Sequence, residues 1–378
     1  MLSTLRLRNF KAAKDLPLRI GSITVLAGLN GSGKSSVLQS LAALKQSHLM
    51  PSPQGLRLRG PLVQLGTYSD VHTEGAEEDV ISIEVQEGDT TFRWDAIGSG
   101  TDAFLSFIAK PAGLPQFLLD RKFQLLPADR IVPRNIFSRS DADADHGFLG
   151  HRGEFVVEFL LSDSARKHVV SEVRRCPRSG FGITEELLGK AAPTHLLVDQ
   201  VSGWLQQLSP GVRVDAEELA GTDDVVLRYD YVGRSGVSES SRKIRPSNVG
   251  FGLTYSLPLV VASLVASPGS LLLLENPEAH LHPQGQAALG ELLVRAAADG
   301  VQVIVETHSD HVLNGIRLAV KRHLLSADEV VIHYFTRSVE DGFVSSQSPA
   351  IQDDGRLSNW PRGFFDQWDL AVDALLED

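Results

Sequence analysis

Gly28-Leu29-Asn30-Gly31-Ser32-Gly33-Lys34-Ser35 is the stretch on which the fold turns. A short β-branched run, Ile23-Thr24-Val25-Leu26, leads into it. Behind it, from Ser35 to Leu44, Val37, Leu38, Leu41 and Leu44 repeat at helical spacing. Strand, glycine loop and helix form the context in which the pattern G-x-x-x-x-G-K-[ST] is specific. The glycines let the backbone curl until its N–H groups face a chain of phosphates, and the helix N-terminus adds a favourable dipole. Lys34 supplies a mobile cation for the β- and γ-phosphates, and the Ser35 hydroxyl is a ligand for Mg²⁺. These residues predict a nucleoside triphosphate site.

Outward from the loop, the first hundred residues read as strands around one helix. Leu5-Arg6-Leu7-Arg8 alternates with period two, and Ile81, Ile83 and Val85 followed by Phe92 and Trp94 read as a hairpin around Glu87-Gly88-Asp89. The middle is less regular. It holds a helix through Leu197, Val201, Trp204, Leu205 and Leu208, a strand from Val225 to Val232, and a Gly/Ser-rich loop, Gly233 to Ser241. The last third returns to α/β alternation, with strands Leu271–Leu274, Val301–Val305 and Val330–Tyr334. No heptad persists and no repeat is found.

The chain has 378 residues, 36 basic against 47 acidic, and a net charge of −11. That length allows two or three domains with a large core. The acidity argues against coating nucleic acid through overall charge, though not against a local basic groove. One cysteine, Cys176, excludes a disulfide framework and a zinc site built on paired cysteines. From Pro246 to Leu274 no residue is charged, long enough to span a bilayer, but Pro258, Pro268 and Gly269 interrupt it. The expected reading is a helix of about ten residues, a break, and a buried strand. With no apolar signal region at the N-terminus, a cytoplasmic location is expected.

A second carboxylate site follows from Leu271-Leu272-Leu273-Leu274-Glu275, four aliphatics ending in an acid. As a buried strand beside the phosphate-loop strand it would deliver Glu275 to Mg²⁺. Next come Asn276-Pro277-Glu278-Ala279-His280-Leu281-His282-Pro283 and Glu306-Thr307-His308-Ser309, with Ser247-Asn248-Val249-Gly250-Phe251-Gly252 upstream. In this order the motifs resemble the ABC-type ATPase heads of the SMC, RecF and OLD (overcoming lysogenization defect) group. Leu7-Arg8-Asn9-Phe10-Lys11 is similar to the start of those heads. Trp360-Pro361-Arg362-Gly363-Phe364-Phe365-Asp366-Gln367 resembles a tail of unknown function in one prokaryotic OLD-like branch, as does Asp129-Arg130-Ile131-Val132-Pro133 a motif of that branch.

The resemblance implies a fold and a site. The fold is an α/β ABC-type head, a mixed sheet around the phosphate-loop helix: residues 1–99 and 246–378, with an α+β middle lobe inserted at 100–245. ATP and Mg²⁺ are the implied cofactors. Asn30, Gly31, Ser32, Gly33, Lys34, Ser35 and Ser36 would cradle the phosphates, with Asn9, Phe10 and Lys11 near the adenine. Ser35, Glu275 and, as a Q-loop candidate, Gln64 would serve the metal. Asn248 and Gly250 fall at the signature positions that reach the γ-phosphate of a second subunit, His280-Leu281-His282 falls in the D-loop, and His308 is the switch histidine.

One departure matters. The residue after the Walker B acid is ordinarily the glutamate that activates water, and here it is Asn276. An amide cannot accept that proton, so either Glu278 reaches in or hydrolysis is slow. His280, His282, His308 and His311 do not suggest zinc, and Asp141-x-Asp143-x-Asp145 is a solvated loop, not a calcium loop. Arg174, Arg175, Arg178, Arg242, Lys243 and Arg245 read as solvated surface, with a phosphate-contacting patch as the alternative. Arg130 and Arg134 read as ion-pair residues, and Trp360, Phe364, Phe365 and Trp368 as local core.

The partners expected are a second copy of the chain, in an ATP-dependent dimer or higher oligomer, and a separately encoded effector, plausibly in antiphage defence. DNA is the alternative partner, as in a RecF- or SMC-like repair ATPase, and no membrane partner is expected. About seventy residues follow the switch strand, too few for the usual Toprim layout of many OLD proteins, so nuclease activity is not expected.

Overall fold

The computed structural model describes residues 1–49, 53–119, 122–139, 148–177, 184–231, 243–361 and 363–376. The stretches expected as a Gly/Ser loop (233–241) and an acidic loop (141–145), together with Arg178 and Arg242, lie outside the described residues. Contacts group the chain into two units. The first comprises 1–123, 304–310 and 326–378, the second 124–303 and 311–325.

In the first unit, an antiparallel sheet runs in the order Ala13–Arg19, Leu2–Phe10, Val80–Glu87, Thr90–Ile97, Phe104–Ala109, Gly55–Arg57. Alternation along Leu2–Phe10 turns Leu5 and Leu7 wholly inward, where Leu5 pairs in register with Leu18 and Val85. Asn9 and Lys11, both at positive φ, turn the chain back into the next strand. A second layer carries the loop: Ile23–Gly28 pairs parallel with Val330–Arg337, whose other edge pairs antiparallel with Val344–Gln347. Residues 304–306, the end of the strand Gln302–Glu306, lie along the free side of Ile23–Gly28. Ile23, Val25, Leu26 and Ala27 are fully buried, as both faces of a covered parallel strand require.

The phosphate-loop helix spans Lys34–Ser47. Its sequence suggested one apolar face, yet Ser40, Gln46 and Ser47 are buried as well. Their polar atoms are matched locally. Ser40 Oγ donates to the Val37 carbonyl (2.8 Å) and Ser47 Oγ to Ala43 (2.6 Å). Gln46 Nε2 donates to Arg57 O (2.7 Å), and its Oε1 accepts from Val63 N (3.0 Å). A buried side chain that satisfies itself this way carries no periodic signature in sequence.

In the second unit, Leu271–Glu275 is a buried strand, and Val212–Glu218, Asp224–Tyr231 and Phe137–Ser138 form a small antiparallel sheet. The helix Leu197–Leu208 has the bounds its spacing implied. The uncharged run after Pro246 forms a helix Phe251–Val265, longer than expected, with Pro258 inside it. The helix runs on through Pro258, whose ring packs against Gly153, where an added Cβ would lie 2.6 Å from Pro258 carbons. The break comes at Pro268-Gly269, with Gly269 at φ +81. No helix among the described residues is long and apolar enough to cross a membrane.

Candidate functional site: a phosphate loop and a clamped acidic turn

The loop closes on itself through main-chain geometry that only glycine tolerates. At Gly28, φ is +143 and an added Cβ would lie 2.5 Å from the Phe335 carbonyl oxygen; at Gly33, φ is +95 and the Cβ would meet Val344 at 2.8 Å. Gly33 is the N-cap of the following helix and offers no side-chain cap, and the Ser36 N–H turns back to the Gly33 carbonyl at 3.1 Å. Lys34, 3% exposed, donates through Nζ to the carbonyls of Gly28 (3.0 Å) and Leu29 (2.8 Å). Ser32, also 3% exposed, has a buried Oγ with no hydrogen-bond partner. A buried hydroxyl with no partner inside an N–H-lined curl is the signature of a cradle for an acceptor-rich ligand.

A group that the sequence reading did not count among the site residues completes this cluster. Glu306, 5% exposed, accepts a hydrogen bond from Ser35 Oγ at 2.9 Å and stands 3.9 Å from Lys34 Nζ. It is held there because Thr307 N donates to Leu26 O (3.1 Å), tying the strand end to the strand that feeds the loop. The only sequence signal was an acid at the end of an aliphatic run, Val303-Ile304-Val305-Glu306, the same signal that marked Glu275. His308, two residues on, is exposed.

Of the residues expected near the adenine, Phe10 is wholly buried and its ring belongs to the core. Asn9 Nδ2 donates to the Glu78 and Val80 carbonyls, and Lys11 Nζ to Gln39 Oε1 (2.5 Å) on the phosphate-loop helix. Gln64 is exposed, its amide donating to the Gly60 carbonyl (2.7 Å). Ser36 is buried within the helix.

In the second unit the acidic turn is clamped by an arginine. Arg130 is 2% exposed. Its Nη1 donates to the carbonyls of Pro127 and Glu275 (both 2.7 Å), its Nη2 to that of Asn276 (2.7 Å) and its Nε to that of Tyr255 (3.2 Å). Its guanidinium lies 3.9 Å from the Tyr255 ring centroid. The expected ion pair is thus replaced by main-chain carbonyls, for which a planar fork of five donors is suited. Burial pulls the Arg130 pKa down to about 10. The Glu275 carboxylate accepts from Ala128 N at 3.1 Å, and Tyr255 Oη donates to the Ala128 carbonyl at 2.5 Å. Asn276 sits at φ +43, with a buried Oδ1 that has no hydrogen-bond partner; Glu278 follows, half-buried.

Asn248 and Gly250 are exposed ahead of the helix Phe251–Val265, and space is open around Gly250. Gly252, by contrast, is pressed against the His280 carbonyl: an added Cβ would lie 2.4 Å from it. The Phe251 and His280 rings pack at 4.3 Å, and His282 caps the next helix, its Nδ1 accepting from Gln284 N (3.4 Å). Among the described residues no group of three or more His, Cys, Asp or Glu could hold a metal. Two described members of the basic cluster are ion-paired, and Arg174, expected at the solvated surface, is buried. Arg174 is 3% exposed and pairs with Asp299 (2.7 Å), and Lys243 pairs with Asp215 (2.7 Å) and Glu217. Phe364 is buried against Tyr334, Trp360 and Phe365.

Residues 134–314 match the family described as "AAA domain, putative AbiEii toxin, Type IV TA system". Residues 325–375 match "Protein of unknown function (DUF3696)", which spans the tail motif. The Old nuclease of Escherichia phage P2 is 22% identical over 415 residues, covering 100% of this chain and 68% of that protein. The chain is thus similar to OLD nucleases and, over 134–314, to an AAA domain, and its mixed α/β sheets around the phosphate-loop helix fit a P-loop ATPase fold. The OLD nuclease of Thermus scotoductus is 21% identical over 340 residues. The chain covers 59% of that protein's length, and 82% of the chain is matched. Among solved structures, the SmcHead bound to the C-winged helix domain of ScpA is 13% identical with a TM-score of 0.49, covering 93% of this chain and 98% of that one. The SMC head domain from Thermotoga maritima is 14% identical with a TM-score of 0.42, covering 93% and 99%.

Proposed function

We propose that the chain binds ATP with Mg²⁺ at the phosphate loop and uses it to join two heads. The observation that carries this is the arrangement around Lys34: a glycine curl at positive φ, a partnerless buried Ser32 hydroxyl, and the oxygens of Ser35 and Glu306 side by side. Hydroxyl and carboxylate oxygens are the donors a hard divalent cation takes, so the residues fit the cofactor. When bound, Mg²⁺ would neutralise charge on the β- and γ-phosphates. Lys34 would leave the loop carbonyls for the phosphates, which the loop from Asn30 to Ser36 would cradle.

The exposed Asn248 and Gly250 support a role in reaching the nucleotide held by a second copy. His308, exposed beyond the strand end, fits a residue that reads the γ-phosphate. Glu275 fits the Walker B acid, with its carboxylate fixed by Ala128 N. Asn276 cannot take a proton from water, so turnover is slow unless Glu278 serves as the base. A slow clamp of this kind suits a regulatory subunit that holds a closed state for a separate effector, with antiphage defence as the setting that the sequence resemblance implies. The head segments 1–99 and 246–378 would carry the nucleotide and the 100–245 lobe the partner, in the cytoplasm.

The test is steady-state ATP hydrolysis with and without duplex DNA, with Lys34→Ala as the blank. Tight ATP binding with near-zero turnover in both conditions supports the clamp. Turnover that rises with DNA favours the repair-ATPase reading instead, which the ion-paired Arg174 and Lys243 do not support. Release of DNA fragments would show that the nuclease activity named for the relatives extends to this chain.

A further inference from the structure

Resting on the nucleotide reading above, we propose that Glu306 makes the phosphate loop discriminate Mg²⁺-bound from metal-free nucleoside triphosphate. It does so by setting a buried carboxylate against the two side chains that would receive the phosphates and the metal. The position is enforced, since the strand end is tied to Leu26 through Thr307 N, and Ser309 N donates to Thr307 Oγ1 (3.0 Å) to shape the turn beyond.

The electrostatics follow from burial. Lys34 and Glu306 are 3% and 5% exposed and lie 3.9 Å apart, so water screens their charges poorly. A triphosphate drawn to Lys34 without a metal meets the negative charge of Glu306 beside it. Like charges brought together beside one buried lysine oppose binding. A divalent cation reverses the sign. The Ser35 hydroxyl and the Glu306 carboxylate, 2.9 Å apart, are both oxygen donors, and the carboxylate that repels phosphate attracts the metal that accompanies it. The sequence element is an acid one residue before Thr307-His308, on a different strand from Glu275.

Calorimetric titration of the full chain with ATP, in Mg²⁺ and in EDTA, tests this. Glu306→Gln keeps a carbonyl to accept from Ser35 but removes the charge. Its affinity for metal-free ATP is expected to rise about tenfold or more, with the gain in affinity on adding Mg²⁺ shrinking by a similar factor. Glu306→Asp should keep the wild-type ratio. Glu306→Ser, smaller and uncharged, is the second variant should the glutamine chain fail to fold, and should behave as the glutamine does. An unchanged ratio of Mg²⁺ to EDTA affinities in the uncharged variants overturns the proposal. Absence of ATP binding by the wild type in both buffers overturns the nucleotide reading itself.

Discussion

Arg130 Nη2 donates to the carbonyl of Asn276 at 2.7 Å, across 146 residues of sequence, while Nη1 of the same side chain holds the carbonyl of Glu275 at 2.7 Å. One guanidinium therefore fixes the two consecutive residues on which the acidic turn depends. Replacing it with alanine leaves several buried carbonyls without a donor, and the expected loss is about 3 kcal/mol in urea denaturation. Arg130→Lys keeps the charge but not the fork and should recover less than half. A lysine variant as stable as the parent would show that charge, not geometry, holds the turn.

Asn276 tests the turn from the other side. Its φ of +43 is one that asparagine tolerates and β-branched residues do not. Asn276→Gly should be close to neutral in thermal denaturation, whereas Asn276→Val should cost about 2 kcal/mol. Asn276→Glu should raise ATP turnover if the missing carboxylate is what makes hydrolysis slow. A glutamate variant that binds ATP and hydrolyses it no faster would leave Glu278 as the base.

Gly31 and Gly33, two of the three loop glycines with positive φ, differ in what surrounds them. Gly31, at φ +75, has open space, so alanine there should cost about 1 kcal/mol, from backbone strain alone. Gly33→Ala adds an overlap with Val344 at 2.8 Å and should cost about 2 kcal/mol or more. Adding Val344→Ala removes the overlap but not the strain. The double variant should then be more stable than the sum of the two single changes, and strict additivity in a double-mutant cycle would refute the contact.

His333 supplies a pH prediction. It is 2% exposed, with Nε2 against the Arg19 carbonyl and Nδ1 against Ser348 Oγ (both 2.8 Å), and burial holds its pKa below the ordinary histidine value. As pH falls through about 6.5 the unfolded imidazole gains a proton that the folded one refuses. Its contribution is thus present above that pH and lost below it. His333→Gln should be less stable than the parent at neutral pH, and the gap should narrow on acidification to about pH 5.5. A gap that stays constant or widens would mean that the folded imidazole takes up its proton freely.

Much of this was legible in the chain. The phosphate loop announced itself through a full pattern in the right context, and Leu197–Leu208 and the hairpin Val80–Glu87 with Thr90–Ile97 through clean periodicity. What stayed hidden was long-range and polar. Nothing in Val303-Ile304-Val305-Glu306 says that its acid meets Ser35, 271 residues away. Nothing around Arg130 says that its partners are carbonyls. Pro258 reads locally as a breaker, yet it lies inside the helix Phe251–Val265 with its ring against Gly153. Apolar periodicity records which face is buried; it does not record which polar atoms were brought in with it.

The division of the chain has a practical consequence. It runs through the first unit, the second, the first, the second and the first again, changing over at 123/124, 303/304, 310/311 and 325/326. Neither unit is a continuous stretch of gene. A deletion chosen to isolate one removes part of the other, and the strand Gln302–Glu306 is cut in two by the very boundary that separates them. Assigning roles within this molecule is therefore a matter for single-residue substitutions in the intact polypeptide, with truncation libraries reporting mainly on loss of folding.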